Sequence, residues 1–185
     1  MSESLKPFIT QQGLSAALSS HNDGVAARIS TVELGDQGYT VPVNANGYAT
    51  QTRLQSKQQR VAIADGRRAA AHQINLSFIV EGTSSYEVKE LGFYLDDGSE
   101  NGILFAVWSD PDRTLAWKSK SVPLIISLEL VLSALPADSV TLEPGSTPLQ
   151  LVMTRDMAAI GTALANMQLE QLRQADRIKQ LTGVY

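Results

Sequence analysis

The 185-residue sequence contains no cysteine, which excludes disulfides, thiolate nucleophiles and cysteine-based zinc sites together. Histidine occurs twice, at His21 and His72, far apart and in different predicted elements. No motif sets an acid and a nucleophile beside either, so triad chemistry has no footing and exposed or edge positions are expected. No glycine-rich phosphate loop precedes a predicted helix. The longest apolar run, Val122 to Leu135, is broken by Pro123, Ser127, Glu129 and Ser133 and is too short to cross a bilayer. The start, Met1-Ser2-Glu3-Ser4, lacks the basic residues and apolar run of a signal peptide, so synthesis in a cytoplasm is expected. A net charge of −4 offers no general attraction to nucleic acid or an anionic membrane, and neither is expected as a partner.

What is present is an ordinary folding composition, 43% apolar and 18% charged, in a length suited to one domain plus an extension. Leu14, Ala17 and Leu18 recur at helical spacing behind Thr10, a candidate N-cap, and Asn22-Asp23-Gly24 is a stop signal. A short N-terminal helix is therefore predicted. Strands follow by period-two alternation: Val25 to Leu34, a short one at Gln59 to Ala64, Ala71 to Glu81, Tyr86 to Leu95 and Ile103 to Trp108. The last two are predicted to form an antiparallel hairpin about Asp96-Asp97-Gly98. Val122 to Ser133 suits a strand buried on both faces, and Val140 to Leu142 one more short strand. Thr50 to Leu54 reads equally as one helical turn or a loop.

Glu143-Pro144-Gly145-Ser146-Thr147-Pro148 cannot continue a helix or a central strand. The expected division is a β-rich head over 1–143, a linker over 144–150 and a helix over 151–185. In that helix Met153, Met157, Ile160, Leu164, Met167, Gln171, Gln174, Ile178 and Leu181 follow one another in alternating steps of four and three. The mean period of 3.5 residues is that of a left-handed coiled-coil seam, and only Leu169 and Leu172 lie off it. Two amides on the seam can set register and strand number. The seam alone does not choose between oligomers; a trimer is the expectation taken forward. The predicted fold class is α+β: a β-rich, antiparallel, sandwich-like head with a short N-terminal helix, then a C-terminal trimeric coiled-coil helix.

Little in the sequence carries chemistry. The oxygen-rich stretch Asp96 to Gly102 departs from the spacing of a calcium loop and reads as a hairpin turn. Lys57, Arg60, Arg67 and Arg68 form a basic cluster without interleaved aromatics, suited to an exposed face or an acidic protein partner. Trp108 and Trp117 flank the Asp110–Arg113 turn, where core packing is favoured over a partner-facing patch. No catalytic residue, cofactor or metal is expected.

Three segments, however, resemble a known family in order and spacing. They are Phe8-Ile9-Thr10-Gln11-Gln12-Gly13-Leu14, Val32-Glu33-Leu34-Gly35-Asp36, and Val88-Lys89-Glu90-Leu91-Gly92-Phe93-Tyr94 followed by Asp96-Asp97-Gly98 and Leu104-Phe105-Ala106-Val107. Over residues 6 to 143 the chain is similar to the N-terminal domain of the tail-collar fibre proteins of contractile-tailed bacteriophages. Glu90, Gly92 and Tyr94 carry the most distinctive part, with the glycine permitting close backbone approach. The resemblance implies a structural virion protein, a homotrimer that binds a baseplate wedge protein and anchors a fibre to the baseplate. Because the sequence stops at Tyr185, an adaptor that hands over to a further fibre protein at its C-terminal end is the expectation. A phage-tail-like particle fits as well as a phage. The alternative reading is a glycan-binding module that recognises a cell surface through Trp108 and Trp117.

Overall fold

Alternating apolar residues build strands along much of the chain's first unit, but the resulting sheet is wound rather than layered. The computed structural model describes residues 3–23, 26–70, 72–99, 101–131, 140–143, 164–171, 173–174 and 177. The chain forms two compact units, Met1–Ser146 and Thr147–Tyr185. The first contains β1 (Glu3–Leu5), β2 (Phe8–Ile9), α1 (Gln11–Asn22), β3 (Ala27–Gly35), β4 (Lys57–Ala70), β5 (Gln73–Val80), β6 (Tyr86–Val88), β7 (Glu90–Leu95), β8 (Ile103–Ser109), β9 (Ala116–Lys118), β10 (Leu124–Val131) and β11 (Val140–Leu142).

Eight strands run in the order β1-β10-β5-β4-β3-β7-β8-β2. All neighbours are antiparallel except β1 and β10. The two ends of this path are joined covalently. Leu5 of β1 pairs with Leu130, and Phe8 of β2, three residues later, pairs with Val107 at the opposite edge. Three residues span at most about 11 Å, so the sheet curls until the N-terminal segment bridges β10 and β8. Closure by this segment leaves neither of those strands as a bare edge.

Strand β4 has 14 residues, because its two halves serve different neighbours. Residues 57–62 pair with β3 and residues 63–70 with β5, with bulges at Ile63/Asp65 and Arg68/Ala70. Each bulge bends the strand and increases its twist. Where β4 turns away, β11 takes its place and pairs in parallel with Ala27–Ile29. Gly66 leaves room there for the Leu142 side chain. The interior is filled by one face of the strands, with Phe78, Phe93 and Phe105 fully buried; such burial contributes about 1.5–3 kcal/mol per side chain.

Two parts of the expected fold class are corrected. The head is one curled, mostly antiparallel sheet with a two-stranded ribbon, β6–β9, and not a sandwich of two sheets. Nor is a long C-terminal coiled-coil helix seen among the described residues. The helical residues there are 164–171, 173, 174 and 177, all of them exposed. Leu164 and Met167 on the expected seam are 55% and 61% exposed, and Leu169 off it is 50% exposed. The physical reason is that a heptad pattern says only which residues share a stripe. Stabilisation comes from burying that stripe, and this one includes two glutamines, Gln171 and Gln174.

Smaller expectations shift for related reasons. Asp65-Gly66-Arg67-Arg68 does not end the strand begun at Gln59, because bulges accommodate it. The run Tyr86 to Leu95 is two strands with different partners, divided at Lys89. Strand β10 is buried on one face only, with Ile125 43% exposed.

Candidate functional site

The segments that carry the family resemblance are brought together on adjacent strands. In β3 and β7, Glu33 lies opposite Gly92, Gly35 opposite Glu90, and Thr31 opposite Tyr94. On β7, Leu91, Phe93 and Leu95 belong to the interior cluster, so Glu90, Gly92 and Tyr94 occupy the other face by strand alternation. That outer face is also buried: Glu90 is 0% and Tyr94 3% exposed. Its cover is the irregular segment from Asp36 to Ser56.

Glu90 fastens that cover. Its carboxylate accepts hydrogen bonds from the Tyr39 hydroxyl, from Gln55 N at 2.7 Å and from Ser56 N at 3.2 Å. Gln51 Nε2 donates to the Tyr39 oxygen at 2.7 Å. A fully buried carboxylate is costly unless hydrogen-bonded, and these donors all come from the covering segment. Gly35 is required opposite it, since a β-carbon there would meet the Glu90 carboxylate. Gly92 is required for a similar reason, with Leu54, Leu104 and the Tyr94 ring within 2.9–3.1 Å of where its β-carbon would lie. Val41, Ala49, Leu54 and Val107 form a second small core beneath the cover.

The neighbouring carboxylate, Glu33, is 2% exposed and satisfied differently. Tyr94 Oη donates to Glu33 Oε2 at 2.5 Å. Lys57 Nζ lies 2.9 Å and an Arg60 guanidinium nitrogen 3.1 Å from Oε1. The Arg60 guanidinium also stacks 3.9 Å from the centre of the Tyr94 ring and donates to Asn101 O at 2.6 Å. Burial, then the hydrogen bond to a carboxylate, pushes both the Tyr39 and Tyr94 phenols well above their ordinary value of 10. Two members of the expected basic cluster, Lys57 and Arg60, thus pair internally; Arg68 also donates to Val140 O at 2.8 Å.

The third resembling segment packs against the same strands. Thr10 caps α1 by accepting from Gly13 N at 2.9 Å, while its hydroxyl donates to Leu104 O. Gly13 lets the helix reach β8, since a β-carbon would lie 2.5 Å from Phe105 backbone atoms. Between α1 and Thr50–Thr52 runs an open groove of about 570 Å³, lined chiefly by uncharged amides and hydroxyls such as Gln12, Ser15 and Gln51.

Other candidates are scattered. His21 closes α1 and His72 sits in the β4–β5 turn, both exposed. In the turn after β7 the Asp96 and Asp97 carboxylates bond nearby backbone, with Gly98 N donating to Asp96 Oδ1 and Ser99 N to Asp97 Oδ1, each at 2.9 Å. Trp108 is buried, whereas Trp117 is 57% exposed. Of the expected seam, Leu164, Met167, Gln171 and Gln174 are exposed helical residues; Met153, Met157, Ile160, Ile178 and Leu181 lie outside the described residues. Sequence reasoning missed Tyr39, which no local pattern marks, and Lys118, which is fully buried among backbone carbonyls. The chain matches no family model, no curated protein and no solved structure in comparisons with each.

Proposed function

We propose that this chain is a structural subunit of a contractile tail or tail-like particle, a fibre or fibre-adaptor protein that anchors a fibre to the baseplate. The observation that carries the reading is how the three resembling segments pack: Glu33 to Gly35 and Glu90 to Tyr94 pair on adjacent strands, and Thr10 to Gly13 caps α1 against Leu104 and Phe105 of β8, which pairs with β7. Each distinctive residue in them has a steric or hydrogen-bonding task in that contact. Those tasks are packing and hydrogen bonding, which supports a structural role over a catalytic one; the attachment role itself comes from the resemblance. In this reading the chain has no catalytic function and acts in the virion as a homotrimer. It contacts a baseplate wedge protein on one side and a further fibre protein on the other.

The test is deletion of its gene from a particle-producing strain, followed by electron microscopy. Sheathed tails with intact baseplates and missing fibres are expected. Particles with a full set of fibres would overturn the proposal. Light scattering on the purified chain adds a second check: a three-chain mass is expected, and a single-chain mass at high concentration removes the trimer.

A further inference from the structure

The β6–β9 ribbon holds a large aromatic side chain in water on a rigid support. Trp117 is 57% exposed, although its strand is anchored from beneath. Tyr86, Val88 and Lys118 on the inner face are buried, and Leu115 N donates to Val88 O at 2.8 Å. The turn that follows is built around the Lys118 ammonium, whose three protons go to Gly82 O at 3.1 Å, Ser119 O at 2.6 Å and Val122 O at 2.9 Å. Ser121 in that turn has a φ of 59°, a conformation that a non-glycine residue holds only when its surroundings impose it. Its amide is tied to Gly82 O at 3.2 Å. The backbone that carries the indole is therefore held in place by the fold.

Its surroundings on the outer face are polar. Glu87 lies directly across the ribbon from Trp117, and Ser85 and Lys89 are the diagonal neighbours by strand alternation. Glu87 Oε2 accepts from Thr114 Oγ1 at 2.9 Å and pairs with Lys89 Nζ at 2.8 Å. Those two contacts hold the Glu87 carboxyl below its usual range, Lys89 contributing most, so it is ionised at neutral pH. They also fix its orientation. Oε1 accepts no hydrogen bond among the described residues.

We propose that this face is a carbohydrate-binding site, with the Trp117 indole stacking on the apolar C–H face of a pyranose ring and Glu87, Lys89 and Thr114 receiving its hydroxyls. A sugar presents such a combination, one flat apolar face edged by donors and acceptors. A protein-docking hot spot has a different make-up: a cluster of apolar side chains sealed from water by a rim. Here the residues facing the indole across the ribbon are charged or hydroxyl-bearing, with Val122 in the following turn the other exposed apolar side chain nearby in sequence. The site gives the domain a ligand of its own beyond anchoring a fibre.

The experiment uses the full chain on an array of α- and β-linked hexopyranoses and their N-acetyl derivatives, followed by titration of any sugar retained. Acrylamide quenching of tryptophan fluorescence reads the site, with buried Trp108 as internal reference. Binding of at least one pyranoside is expected, with quenching of Trp117 suppressed and that of Trp108 unchanged. Trp117→Ala should abolish binding while Trp108 remains shielded, showing that the fold survives. Trp117→Phe should retain part of the affinity, and Glu87→Gln should weaken binding about tenfold. Absence of binding across the array would overturn the proposal. So would shielding of Trp117 that rises with protein concentration without sugar, which would mean that a second copy covers the indole.

Discussion

Glu87 and Glu90 stand three residues apart in one run of sequence, yet the fold treats them in opposite ways. Glu90 is fully buried and holds down a long covering segment through Tyr39, Gln55 and Ser56. Glu87 lies on the outer face of a three-residue ribbon, paired with Lys89, the two side chains 38% and 30% exposed. The difference arises at Lys89, where the run leaves β9 as a partner and joins β3 and β8. Whether a carboxylate is structural or available to a ligand is thus decided by what covers its strand, and the residue type alone carries no such information. A buried carboxylate must be satisfied internally, whereas an exposed pair adds little stability and is free to bind.

Substitutions should separate the two regions by size of effect. Glu90→Ala leaves one hydroxyl and two amide protons without their acceptor, and each such group costs about 1–3 kcal/mol. A loss of about 3 kcal/mol or more is expected in urea unfolding, whereas Glu90→Gln, which keeps one oxygen, should cost less. Gly13→Ala gains about 1 kcal/mol of helix propensity, but it forces a β-carbon into the Phe105 backbone at 2.5 Å. Displacing α1 from β8 should outweigh that gain and give net destabilisation of about 1–2 kcal/mol, seen as a lower melting temperature.

Tyr39→Phe removes the hydroxyl between Glu90 and Gln51 and should cost about 1–2 kcal/mol. It also bears on pH. Tyr39 and Tyr94 have phenol pKa values raised above 10 in the fold, so their protonated forms are favoured by folding. That stabilisation is fully present below the unfolded value of 10 and is lost as pH rises through the folded values. Unfolding free energy should therefore begin to fall as pH passes about 10 and keep falling toward the raised folded values, less steeply in Tyr39→Phe. The smallest effect belongs to the ribbon: Lys89→Ala should change stability by less than about 0.5 kcal/mol. A loss as large as that of Glu90→Ala would erase the contrast between the two regions.

Much of the local structure was legible in the sequence, for reasons that are themselves local. Thr10 marks the start of α1 because a side-chain oxygen at that position can accept from Gly13 N, and Asp96-Asp97-Gly98 marks a turn because its carboxylates bond the next backbone amides. The alternation of Leu91, Phe93 and Leu95 identifies the inward face of β7 without any knowledge of its partners. Local pattern fails in the tail, where a 3.5-residue period predicts a long coiled-coil helix although a stripe is stabilised only by a surface that buries it. It also gave β10 two buried faces, because apolar content does not reveal that Ile125 looks outward.

Sequence by itself determined the inward face of β7, the helix cap and the turns. These follow from interactions within a few residues or from the two-residue period of a strand. Tertiary structure alone decided that Gly35 stands against Glu90, that Tyr39 reaches the same carboxylate from 51 residues away, and that Phe8 closes the sheet at the edge opposite Leu5. Those relations depend on register and curl, which are set by the whole sheet finding one closed arrangement. Only that arrangement separates Glu90, sealed beneath its cover, from Glu87 and Trp117, left facing water.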